Sequence, residues 1–104
     1  MSELAQSIIE AAKRRVRRGS VKVGDKVFAV DFRVYPAAEL VELTKKLRAA
    51  DNTAAAAILA EQILNPEDGR PVLTGAEIEA LPNPDAVELL NAFFRVNYGD
   101  PEKN

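Results

Sequence analysis

From Val27 to Val34, Phe28, Val30, Phe32 and Val34 alternate with Val27, Ala29, Asp31 and Arg33. A period of two is that of a strand with one buried face. At Tyr35-Pro36 the period changes. Leu40, Leu43 and Leu47 then fall three and four apart among Glu39, Glu42, Lys45, Lys46 and Arg48, which predicts an amphipathic helix ending near Ala50. Pro36 suits the junction: it biases Tyr35 toward extended geometry, and its fixed φ and missing N–H fit the first turn of a helix.

Upstream, residues 3–18 read as a helix. Ser2 is its N-cap, Leu4, Ile8, Ile9, Ala12 and Val16 form its apolar side, and Gly19 is its stop. Val21-Lys22-Val23, Gly24-Asp25 and Lys26 onward predict a β-hairpin with a two-residue loop, because glycine supplies the positive φ of a tight turn. That register sets Val23 opposite Lys26 and Val21 opposite Phe28, so Val21, Val23, Phe28, Val30 and Phe32 share one face. A lone ribbon is marginal in water, so helices must cover it or another chain must extend it.

Downstream, Asp51-Asn52-Thr53 breaks the chain and offers caps for a helix over 54–64. Alanines 54–57 favour that helix and allow close packing. Asn65 to Pro71 is a turn cluster, and its Glu67 and Asp68 lack the ligand spacing of a calcium loop. Thr74-Gly75-Ala76-Glu77 fits a capping box opening a short helix over 75–80. Asn83 as cap and Pro84 at the first turn predict a last helix to about Asn97. Ala86, Val87, Leu90, Phe93, Phe94 and Tyr98 would face inward, and Gly99 would end it. The expected fold is α+β: a small β-hairpin packed against a mainly helical domain of four to five helices, the ribbon lying on the helix after Pro36. The 104 residues make a single domain, with an N-terminal basic helix over 1–19, a core over 20–98 and a mobile polar tail over 99–104.

Composition narrows the function classes. Hydrophobic residues at 47% and charged residues at 29% describe a globular chain, and the net charge of −2 argues against a dedicated nucleic-acid binder. The absence of cysteine removes disulfides and thiolate metal sites, and the absence of histidine removes the commonest general base and metal ligand. Ser2, Ser7 and Ser20 therefore have no histidine to activate them. No catalytic residue, metal or cofactor is expected. No run is long enough to span a bilayer and no signal-peptide pattern opens the chain, so the expectation is a soluble cytoplasmic protein. Lys13, Arg14, Arg15, Arg17 and Arg18 form a basic cluster that admits two readings. It is either a solvated helix end, where the macrodipole favours each cation by about 0.3–1 kcal/mol, or a nucleic-acid patch without interleaved aromatics.

The order of these elements resembles the tail assembly chaperones of long-tailed bacteriophages. The resemblance rests on FRVYPAAELVEL, the alanine-rich helix, NPEDGRPVLTGAEIEALP and the helix AVELLNAFFRVN, and covers roughly residues 20–98. It implies a non-enzymatic protein of the host cytoplasm that binds the tape measure protein and keeps it soluble while tail tube protein polymerises around it. A longer, frameshifted form of the chain is a further implied partner; codons for Glu102-Lys103-Asn104 can supply a slippery A-rich run. Such binding needs apolar grooves or edges that accept amphipathic helices. The candidates are the hairpin face, Phe28, Val30 and Phe32, and the last helix, Leu90, Phe93 and Phe94. Apart from the resemblance, a free hairpin edge would extend across a symmetric interface in a homo-oligomer, whereas a bundle that covers the edge would be monomeric.

Overall fold

The computed structural model describes residues 2–12 and 15–99. Among them the chain runs α1 (Glu3–Ala12), β1 (Val16–Val23), β2 (Lys26–Arg33), α2 (Ala37–Ala49), α3 (Asn52–Ala60), β3 (Ile63–Leu64), α4 (Gly75–Ala80) and α5 (Asn83–Tyr98). The fold is α+β. One antiparallel sheet of order β1-β2-β3 is joined to the helices.

The hairpin forms in the expected register, Val23 opposite Lys26 and Val21 opposite Phe28, about Gly24 with φ 63°. Its first strand is longer than expected. Ser2 does cap α1, its Oγ accepting from the Ala5 amide at 3.1 Å, but α1 ends at Ala12 and does not continue to residue 18. Residues 16–20 are strand: β2 extends far enough to pair with them, and Arg18 meets Asp31 across the ribbon at 2.8 Å. Gly19 is thus not a helix stop but a mid-strand residue opposite Val30.

A second correction falls after α3. Ile63 and Leu64 are not helical; they pair with Phe32 and Asp31 as β3. The Arg33 amide donates to the Gln62 carbonyl at 3.0 Å, and Arg33 Nε donates to the Glu61 carbonyl at 2.9 Å. Partners on β2 therefore replace the next helical turn.

The ribbon packs chiefly on α5 and not on the helix after Pro36, which packs on α3. At Gly19 a Cβ would lie 2.8 Å from Val96 Cγ2 and 2.9 Å from Phe32 Cε2, so the missing side chain is what lets Phe32 and α5 close on β1. Phe32 and Phe93 are fully buried, and with Val21, Val30, Leu40, Leu59, Ile63 and Leu89 they belong to one continuous core. Burying each large side chain contributes about 1.5–3 kcal/mol. Helix α5 is rotated from the expected stripe: Leu89 and Ala92 point inward, while Val87 and Tyr98 are exposed. Its N-cap is Pro82 with no side-chain bond, so Asn83 is the first helical residue and not the cap.

Local signals elsewhere hold. Asp51 caps α3 by accepting from the Ala54 amide at 2.8 Å. Thr74 and Glu77 complete both bonds of the capping box, at 3.1 and 2.9 Å. The turn before it closes through Gly69, φ 72°, whose amide reaches the Asn65 carbonyl at 2.8 Å. Gly99, φ 88°, ends α5. The expected tail from Asp100 onward lies outside the described residues.

Candidate protein-binding surface

The six residues singled out for binding do not form one surface. Val30, Phe32 and Phe93 are buried because α5 covers the inner face of the ribbon, and they serve the core. Phe28 shares that face nearer the hairpin tip and remains 47% exposed. Phe94 is half-buried in a run of rings, its centroid 5.7 Å from that of Phe93 and 5.9 Å from that of Tyr98. Leu90 is half-buried and lines a groove.

That groove lies where α3, α4 and α5 meet the end of α2. It encloses about 380 Å³ and is lined by Leu47, Ala55, Leu59, Leu81, Val87 and Leu90, with Asn52, Glu79 and Asn83 among its polar neighbours. Small residues set its shape. A Cβ on Gly75 would stand 3.0 Å from the Ala57 Cα, so α4 sits hard against the alanine-rich α3. Within the alanine run Ala56 is buried and Ala55 half-buried, whereas Ala54 and Ala57 are exposed. Thr53 Oγ1 donates to Glu79 Oε1 at 2.9 Å, joining the same two helices at their polar edge.

The fold leaves a second apolar surface that periodicity registered only as the inner side of a longer helix. Leu4, Ile8 and Ile9 of α1 are 71%, 60% and 43% exposed. Val16 and Val27 are also exposed, toward opposite ends of the ribbon's outward face.

Of the basic cluster, Arg15, Arg17 and Arg18 do not lie on a helix. Lys13 and Arg14 lie outside the described residues. Arg15 is exposed just before β1, and Arg17 and Arg18 sit next to each other on β1, so their side chains leave opposite faces of the sheet. Arg18 is engaged with Asp31.

A polar node that the sequence reading did not anticipate holds the base of the ribbon. Gln62 is buried, and both polar atoms of its side chain have a partner: Nε2 donates to the Ile58 carbonyl at 3.0 Å, and Oε1 accepts from the Tyr35 hydroxyl. Asn97 of α5 accepts from the Tyr35 amide at 3.2 Å and donates to the Arg33 carbonyl at 2.9 Å. Burial pushes the Tyr35 hydroxyl above its ordinary value of 10.0, with the nearby Arg33 guanidinium opposing the rise. The node is structural in character: each buried group is satisfied within the chain, which leaves nothing aimed at a ligand.

Among the described residues no group of acidic side chains is placed to hold a metal ion, and no helix is long and apolar enough to cross a membrane. Comparison with family models, with characterised proteins and with solved structures finds no match to this chain.

Proposed function

We propose that this chain is a non-enzymatic tail assembly chaperone of a long-tailed bacteriophage, acting in the host cytoplasm, and that it binds the tape measure protein. The observation that carries the reading is the groove between α3, α4 and α5, whose apolar lining and polar margin suit the side chains of an amphipathic helix. A tape measure protein is a long helical chain whose apolar stripes need covering until the tail tube encloses it. The exposed stripe of α1 supplies a second apolar surface for the same partner. The nucleic-acid alternative draws no support from the divergent Arg17 and Arg18.

The test is co-expression and capture of the tape measure protein encoded beside this gene, at low and high salt, with wild type and Val87→Glu. Val87 lines the groove and is 42% exposed, so the charge enters the surface without opening the core. The expected result is salt-resistant capture of soluble tape measure protein by wild type, reduced at least about tenfold by Val87→Glu. Absence of capture, with nucleic acid co-purifying at low salt and lost at high salt, overturns the reading.

A further inference from the structure

β1 forms an edge of the sheet, and none of its residues lines the groove. The Val34 amide donates to the Arg15 carbonyl at 2.8 Å, which sets the phase of the ladder: residues 15, 17, 19, 21 and 23 turn their backbone groups toward β2. Residues 16, 18, 20 and 22 therefore turn theirs outward. The sheet order places β1 at the edge, and no strand among the described residues pairs there. An eight-residue edge with no proline is long for an uncovered strand.

Its charge selects the occupant. Arg15, Arg17, Arg18 and Lys22 are all exposed, and β1 contains no acidic residue. A second copy pairing edge to edge would bring the same cations together, which is how natural sheets keep copies apart. A nucleic acid fits poorly too: phosphates only accept hydrogen bonds, leaving the row of outward carbonyls unmatched, and the arginines diverge to opposite faces. A peptide backbone matches the alternating donors and acceptors, and carboxylates on it match the cations on either face. We infer that the β1 edge takes an extended acidic segment of a partner protein as a fourth strand, held by main-chain bonds at residues 16, 18, 20 and 22 and by ion pairs to Arg17 and Lys22.

The test uses the full chain and a fluorescein-labelled peptide of repeating Val-Glu-Glu, which places carboxylates on both faces of an added strand, read by anisotropy. A valine–lysine peptide and a labelled single-stranded DNA are the competitors. Ser20→Pro removes one outward N–H without touching the ladder to β2, Ser20→Ala keeps it, and Lys22→Glu reverses one cation. The acidic peptide is expected to bind and the lysine peptide not. Ser20→Pro and Lys22→Glu should each weaken binding at least about tenfold, with Ser20→Ala unchanged. Amide exchange on the wild-type chain provides a reading that does not depend on any variant folding: the peptide should slow exchange at Val16, Arg18, Ser20 and Lys22. No binding, unchanged exchange at those amides, tighter binding of the DNA, or self-association abolished by Ser20→Pro would each overturn the inference.

Discussion

Tyr35 is where the ribbon, α3 and α5 are tied by single atoms. Its hydroxyl donates to Gln62, its amide to Asn97, and its ring meets Phe93 edge-on with centroids 6.5 Å apart. Replacing it with phenylalanine preserves the ring and strands a buried acceptor on Gln62, so Tyr35→Phe should cost about 1–3 kcal/mol in urea unfolding at neutral pH. The pH dependence has a definite sign. The folded chain holds the Tyr35 proton more tightly than the ordinary value of 10.0, because burial penalises the phenolate. That contribution is fully present below the unfolded value and is lost as pH rises through the folded one. The advantage of wild type over Tyr35→Phe should therefore shrink as pH rises above the ordinary value of 10.0, and an advantage that stays constant would contradict the assignment. Periodicity placed Tyr35 correctly at the junction, but its partners lie 27 and 62 positions along the chain, beyond the reach of any local pattern.

At the scale of elements, the contact of β1 with α5 is the one the architecture depends on, and Gly19 is its tightest point. Gly19→Val should cost about 1–3 kcal/mol by overpacking against Phe32 and Val96, while Ser20→Val, exposed on the opposite face, should stay within about 0.5 kcal/mol. Equal effects in denaturant titrations would mean that α5 does not lie on this strand. The sequence held one clue to the longer β1. Continuing the expected register past Val21 and Phe28 sets Arg18 against Asp31, an opposite-charge pair, but the run of cations and the following glycine also match a helix end. Likewise Ile58, Leu59, Ile63 and Leu64 continue a helical pattern after the alanines, and the strand at Ile63 depends on Arg33 claiming the carbonyls of Glu61 and Gln62.

For the whole molecule, the core and the surfaces open to partners are distinct. The core joins the inner face of the ribbon to α5 and continues through α3 and α4, whereas Leu4, Ile8 and Ile9 of α1 stay exposed outside it. Ile8→Ser should accordingly shift the unfolding free energy by no more than about 0.5 kcal/mol, against about 2–5 kcal/mol for Leu59→Ala, which opens a cavity beneath the groove. A large loss from Ile8→Ser in calorimetry would place α1 inside the cooperative unit. Of the candidate binding residues, the fold keeps Phe28 and Leu90 accessible and withdraws Val30, Phe32 and Phe93 into the core. The alternation that singled out Phe28, Val30 and Phe32 identifies a face, and α5 determines how much of that face remains open.

The sequence by itself determined what neighbouring residues settle among themselves. These are the change from strand to helix at Pro36, the hairpin register about Gly24, the cap at Asp51, the Thr74–Glu77 capping box and the turn closed at Gly69. Each depends on a dihedral preference or on a bond spanning only a few positions. Only the tertiary structure decided the length of β1, the strand at Ile63, the stripe α5 turns inward and the groove it shares with α3 and α4. Those features were set by partners remote in sequence, because ladder bonds and buried area outweigh local propensities that differ by less than about 1 kcal/mol per residue.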